Sequence, residues 1–167
     1  SWKMVTAYTL AESTVGMIVG TDGKAYAAAD KGNLPTGVTA VAMVAYKSAT
    51  AGSSLAIALA DEGEMDWEMA KSTYEGKTAV TGGTWKLPSQ DEWKQMFGAN
   101  GGNEESYTGL NTAITTAGGT ALQEYGRYWS SSEGEGGDAL RVNLYDTAEW
   151  MNSFKDEMFL VRACLAF

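Results

Sequence analysis

One ten-residue segment constrains the fold more than any other: Thr84-Trp85-Lys86-Leu87-Pro88-Ser89-Gln90-Asp91-Glu92-Trp93. Ser89 and Glu92 have the spacing of a capping box. The serine side chain takes a free N–H of the first helical turn, and the glutamate reaches back to the serine N–H. Trp93, Met96 and Phe97 then fall on one face of the helix, and Gly98 is its expected stop. That apolar face has to be buried against another layer.

Strand signals supply the layer. A short apolar run at 17–19 is followed by Thr21-Asp22-Gly23-Lys24 and a second run at 25–29, and Asp-Gly between two such runs marks a hairpin. The runs at 38–46 and 55–59 read as buried strands, with a loop between them at 49–54. Asp61, Glu62, Glu64, Asp66 and Glu68 crowd the start of a segment whose Trp67, Ala70 and Tyr74 lie at helical spacing, with Gly76 as stop. The cluster lacks the alternating loop of a calcium site, so it reads as negative charge at the positive end of a helix. A third helix is expected at 110–117, ended by Gly118-Gly119. Strands are then expected at 128–133, at 139–145 after the Gly134–Asp138 loop, at 149–154 around Trp150, and at 158–167 as a central closing strand. In 139–145, Leu140, Val142 and Leu144 alternate with Arg141, Asn143 and Tyr145, so one face is dry and the other wet.

Composition limits the chemistry. The chain has 167 residues, 44% hydrophobic and 20% charged, which is ordinary for one globular domain spanning 1–167. Histidine is absent, which removes histidine-based catalysis and metal ligation. Cys164 is the single cysteine and lies in an apolar strand, where it reads as a buried structural residue. Neither a catalytic constellation nor a metal or cofactor motif is present, so no cofactor is expected and the chain reads as a non-enzyme. Twelve basic against 21 acidic residues give −9, which makes nucleic acid and anionic membranes poor partners. No apolar run reaches about 18 residues, so no direct membrane insertion is expected. No signal-peptide pattern stands at Ser1, so any leader is expected to lie outside this chain.

Three segments carry a family resemblance. Thr84 to Trp93 resembles the "W-[RK]-L-P-[ST]-x-x-[ED]-W" segment of C-type-lectin-like domains of the formylglycine-generating-enzyme and Fibrobacter major-paralogue type. Tyr128-Trp129-Ser130-Ser131-Ser132-Glu133 resembles their "YWSSTE" strand, and Val161-Arg162-Ala163-Cys164-Leu165-Ala166-Phe167 their closing "VRxxLAF" strand. Lys86 and Ser132 replace the commoner arginine and threonine. The resemblance implies an α+β C-type-lectin-like fold, with two or three helices packed on a small, mostly antiparallel sheet and the chain ends close together. Trp85, Trp93, Trp129 and Val161 are its expected core.

More narrowly, the end of the chain resembles the variable protein of a diversity-generating retroelement of gut bacteria or their phages. There the stretch between the "YWSS" and "VRxxLAF" strands is rewritten while the fold stays fixed. The resemblance implies a non-catalytic ligand-binding protein of receptor or adhesin type. It would lie on a cell surface or outside the cell, or alternatively on a phage particle, with a protein or other macromolecule as ligand. The variable ligand-binding region would be 134–160, with Ala139, Val142, Trp150 and Lys155 as framework.

Within that region the expected ligand-binding residues are Glu135, Asp138, Arg141, Asn143, Tyr145, Asp146, Glu149, Met151, Asn152, Phe154, Asp156, Met158 and Phe159. Aromatics, methionine and arginine are enriched at interface cores, so Tyr145, Trp150, Phe154 and Phe159 are the expected anchors wherever they are exposed, and Arg141 the charged contact. The excess of carboxylates favours a ligand with a basic face. Calcium-independent glycan binding through Tyr145 or Trp150 is the alternative. The Glu-Pro-Asn and Gln-Pro-Asp triplets of calcium-dependent lectins are missing, since Pro35 and Pro88 are the only prolines.

Overall fold

In the computed structural model, which describes residues 4–167, the turn signals act where the sequence places them. The Asp22-Gly23 turn joins β1 (Ile18–Gly20) to β2 (Ala25–Tyr26), and the second run then tightens into a 3-10 turn instead of continuing as a strand to 29. The two buried runs are β3 (Ala40–Tyr46) and β4 (Leu55–Ala58). β5 (Gly63–Met65) follows, so the acidic cluster does not open a helix as expected. Asp61 and Glu62 are paired with Arg162 and Lys77. Only Asp66 and Glu68 serve α1 (Trp67–Ser72), which Asp66 caps by accepting the Met69 N–H at 2.9 Å.

β6 (Thr84–Lys86) leads into α2 (Gln90–Ala99). The capping box forms as read: Ser89 Oγ accepts the Glu92 N–H at 3.1 Å, and Glu92 Oε1 accepts the Ser89 N–H at 2.9 Å. α3 (Thr108–Thr116) completes the helices. The chain ends as β7 (Arg127–Glu133), β8 (Ala139–Leu144), β9 (Ala148–Ser153), β10 (Phe159–Val161) and β11 (Cys164–Ala166).

Among the described residues the architecture is α+β, as expected, with three α-helices and two mostly antiparallel sheets in place of the one small sheet expected. The first sheet has the order β2-β1-β3-β4-β11-β6 and the second β5-β10-β7-β8-β9. β10 against β7 is the parallel pair, with Leu160 opposite Tyr128. The expected closing strand at 158–167 is therefore two strands in two sheets. It breaks at Arg162 and Ala163, and each half lies inside its sheet without being central to both.

A buried cation stands at the break. Arg162 is fully buried, and its Nε donates to Asp61 Oδ1 at 2.7 Å and its Nη1 to the Ala58 carbonyl at 3.0 Å. One core lies between the sheets, where Trp93, Met96 and Phe97 of α2 and Leu110 and Ile114 of α3 meet Met43, Ile57, Tyr128 and Val142. A second covers the far side of the first sheet around Trp85 and Leu165, and a third the far side of the second sheet around Trp67, Trp129 and Phe159. Trp85, Trp93, Trp129 and Val161 are buried, as expected from the sequence. Near the chain ends, Lys47 donates to the Leu10 carbonyl at 2.9 Å and lies over the Phe167 ring. The first three residues lie outside the described ones.

Two substitutions test this account. Trp93 is fully enclosed, stacks on Phe97 at 5.6 Å and donates its indole N–H to the Trp129 carbonyl at 3.2 Å. Trp93→Ala is expected to cost about 3–5 kcal/mol in urea unfolding. Arg162→Ala removes the counter-charge of Asp61 and the donor to the Ala58 carbonyl, and is expected to cost about 3–5 kcal/mol. A cooperative Arg162→Ala variant within about 1 kcal/mol of the parent would refute the role given to this cation.

Candidate functional site: the outer face of the second sheet

The register of the second sheet decides which side chains share its outer face. Trp129, Arg141 and Met151 stand opposite one another across β7, β8 and β9. So do Arg127, Asn143 and Glu149, and Ala139 pairs with Ser153. Cross-strand neighbours point to the same side, so Arg141, Asn143, Glu149 and Met151 do share one face, as the alternation predicts.

That face is not uniformly wet. α1 covers one end of it, where Trp67 donates its indole N–H to the Ser130 carbonyl at 2.8 Å and Trp129 donates to the Met65 carbonyl at 2.9 Å. Lys71 and Lys155 lie over the Trp67 ring, at 3.6 Å and 4.4 Å from its centre, and cover it further. Beside this lies an interlocked floor. Arg141 stacks 4.7 Å over the Phe159 ring, donates from Nε to Asn143 Oδ1 at 2.9 Å and from Nη1 to the Ser153 hydroxyl. Its Nη1 also lies 3.7 Å from Glu157 Oε2, a charge contact without a hydrogen bond. Asn143 Nδ2 points at Met151 Sδ at 3.0 Å. Burial first, and then the charge of Arg127, lowers the Arg141 pKa from its ordinary value.

Three sequence expectations change accordingly. Asn143 is only 2% exposed and Phe159 only 7%, so neither is a free contact and Phe159 is no exposed anchor. Arg141 is largely buried and spends its donors inside the protein. Period-2 alternation identifies a face but not whether neighbouring side chains pave it over.

The rest of the predicted set forms a rim. Met151, Phe154 and Met158 are 45%, 66% and 57% exposed, and Glu135, Asp146, Glu149, Asn152 and Asp156 are exposed as well. Asp138 and Tyr145 are half-buried, in the loop before β8 and the turn after it. Of the framework residues, Ala139 and Val142 are buried, Trp150 is half-buried on the inner side, and Lys155 covers Trp67 and pairs with Glu133 at 3.2 Å. Asn152 has a second task, since its Oδ1 accepts the Glu135 N–H at 3.0 Å. A Cβ on Gly134 would stand 1.9 Å from that oxygen, so this loop needs its glycine.

Residues outside 134–160 join the rim. Gln123, Glu124, Tyr125 and Arg127 line a cleft of about 260 Å³ with Glu64 and Met158. Tyr125 is 67% exposed and adopts φ +63°, a left-handed conformation that costs a non-glycine residue free energy. Its N–H donates to the Leu144 carbonyl at 2.7 Å, and its ring lies 6.1 Å from that of Tyr145. Gly126 permits the bend, because a Cβ there would lie 2.7 Å from the Gln123 carbonyl oxygen. That glycine ahead of a strand is the only sequence signal; a left-handed tyrosine cannot be read from residue type.

Cys164 is fully buried, and burial raises its thiol pKa. Among the described residues no three His, Cys, Asp or Glu side chains are grouped to hold a metal ion, and no helix is long and apolar enough to cross a membrane.

No protein-family model matches this chain, and no curated protein matches it. Its fold is similar to that of a fimbrial protein from Bacteroides ovatus ATCC 8483, at 15% sequence identity and a TM-score of 0.62. The likeness covers 93% of this chain and 49% of the fimbrial protein, so this chain spans about half of that protein's length. At this identity the likeness is one of fold.

Floor and rim are expected to respond oppositely to substitution. Replacing Glu135, Asp146, Glu149, Phe154, Asp156 and Met158 together with alanine removes only exposed side chains, each worth about 0.5 kcal/mol or less. Arg141→Ala alone leaves Asn143 and Ser153 without their partner and is expected to cost about 1–3 kcal/mol. Thermal melts of the two variants check this. A rim variant that unfolds before Arg141→Ala reverses the assignment.

Proposed function

We propose that this chain is a non-catalytic, C-type-lectin-like binding domain that presents the outer face of its second sheet to a protein or other macromolecular ligand. One observation carries the reading. Within 134–160, exposed side chains such as Asp146, Glu149, Phe154, Asp156 and Met158 surround a floor whose members bond to one another. Such a surface changes its contacts without refolding, as a diversity-generating retroelement variable protein requires. The carboxylates of the rim suit a ligand with a basic face and faster association at low salt. A place on a cell surface, in an adhesin-type role, is supported by the fold likeness to a fimbrial protein.

The test is in the DNA. A near-copy of the final codons, differing at adenines and lying beside a reverse-transcriptase gene, is expected downstream of the coding sequence. Its differing codons should fall on rim positions such as Glu149, Met151, Phe154 and Met158. A downstream region without such a copy, or one whose differences fall on Ala139 and Val142, refutes the retroelement reading. The same stretch of DNA tells a cellular owner from a phage.

A second reading is favoured by the Tyr125–Tyr145 ring pair beside the cleft. An exposed ring, Tyr125, beside the half-buried Tyr145 and flanked by Gln123, Glu124 and Arg127 suits a glycan held without calcium. Binding on a glycan array in EDTA, lost in Tyr125→Ala, is the expected result under that reading. An array without signal removes it.

A further inference from the structure

The two sheets have four outer edges, and the described residues treat one of them differently. β2 is two residues long and is covered by a bridge from Tyr8 to Ala25. β5 and β6 are three residues each, and β6 carries Lys86. β9 is six residues long and pairs with β8 through six consecutive positions without a register shift, whereas β1–β3, β3–β4 and β7–β8 each contain one. Proteins ordinarily blunt such an edge with lysine, proline, a bulge or a cover. β9 (Ala-Glu-Trp-Met-Asn-Ser) has no lysine, proline or bulge; its end residues Ala148 and Ser153 are buried, and among the described residues Ala148 alone of its outward-facing positions has its backbone N–H bonded.

The direction of the free backbone groups follows from the hydrogen bonds. Leu144 turns both its N–H and its carbonyl toward Gly126 and Tyr125, so it does not bond to Ala148 opposite. The Ala148 N–H instead donates outward to the Glu105 carbonyl at 2.7 Å. Strand backbone alternates, so the N–H and carbonyl groups of Trp150 and Asn152 also face outward. Among the described residues no backbone group meets them.

Charge selects the occupant. Glu149 lies on the strand, Asp146 in the turn that enters it, Glu105 at its covered end, and Glu135 on the loop bonded to Asn152. All four are exposed, and β9 itself carries no basic residue. A second copy of this chain would bring like charge against this edge, in a protein of net charge −9. We propose that β9 is a strand-addition site that takes an extended, basic segment of a partner protein, with main-chain bonds to Trp150 and Asn152. The proposal rests on the reading of this face as a binding surface and names the kind of partner. Main-chain pairing gives affinity that survives change in the side chains around it. Basic side chains of the added strand would lie over Glu149 on the outer side, and small apolar ones beside Trp150 on the inner side.

The probe is an acetylated, amidated octapeptide of alternating lysine and valine, titrated into the intact protein at low salt. Binding is expected with Kd below about 1 mM. Amide exchange should slow at Trp150 and Asn152, and the glutamate–valine counterpart should not bind. Two further peptides carry N-methyl groups on all valines or on all lysines, so that each blocks one edge of the added strand. Blocking one edge is expected to weaken binding about tenfold or more, and blocking the other to leave it. Equal binding by both N-methylated peptides shows docking by side chains and overturns the proposal. So does absence of binding at about 1 mM, protection at residues other than Trp150 and Asn152, or a concentration-dependent dimer in sedimentation that protects the same amides. These outcomes bear on the edge alone; the proposed variable surface fails or stands on the downstream DNA.

Discussion

The buried charge of Arg162 is the constraint on which the two sheets depend. Its partner Asp61 follows β4 of the first sheet, and the Ala58 carbonyl that it also bonds is the end of that strand. Asp61 accepts in turn from the Tyr128 hydroxyl at 3.0 Å, and Tyr128 belongs to β7 of the second sheet. Burial, with the Asp61 charge adding to it, raises the Tyr128 pKa, so the phenol stays protonated and donates. The guanidinium, with its donors on Asp61 and Ala58, stands at the point where the last strand leaves one sheet for the other.

From that junction the three segments that carry the family resemblance are bound to one another. Leu165 of the closing segment stands opposite Trp85, and Leu160 just ahead of it stands opposite Tyr128. The Ser131 N–H donates to the Pro88 carbonyl at 2.9 Å, and the Gln90 N–H donates to the Ser132 hydroxyl at 2.9 Å. The serines of the second segment therefore work at the bulge in β7, where they satisfy the backbone at the start of α2. Threonine supplies the same hydroxyl as Ser132, which accounts for the mildness of that departure from the resembled pattern.

Local chemistry was readable where one segment suffices to decide it. The capping box, the Asp22-Gly23 hairpin and the apolar face of Trp93, Met96 and Phe97 need only their own neighbours. The pairing of Arg162 at the break needs Asp61, about a hundred residues earlier, and no window of sequence contains both. The acidic cluster at 61–68 fails for the same reason: Asp61 and Glu62 answer to Arg162 and Lys77, not to the helix that follows. In the site, alternation placed Arg141 and Asn143 on the correct face. Their loss to the floor is set by Phe159 and Ser153, which approach from other strands. Tyr125 was missed because its exposure comes from an unusual backbone conformation and not from residue type.

The floor and the free edge answer one physical problem in two ways. A surface that must tolerate changing side chains cannot rest its stability on them, so the bonds that hold β8 and β9 together lie beneath the rim, among Arg141, Asn143 and Ser153. Side chains free to change offer no constant affinity, whereas backbone N–H and carbonyl groups are the same whatever residue carries them. A regular strand edge beside a changeable rim separates the two demands. On the proposed reading, the edge would supply an interaction that substitution leaves intact, and the rim would decide which extended segment is admitted to it. β8 and β9 pair in an unbroken backbone register, and Arg141 adds a side-chain bond from one strand to Ser153 on the next. The residue that sequence alone marks as a ligand contact thus spends its donors on Asn143 and Ser153 within the sheet.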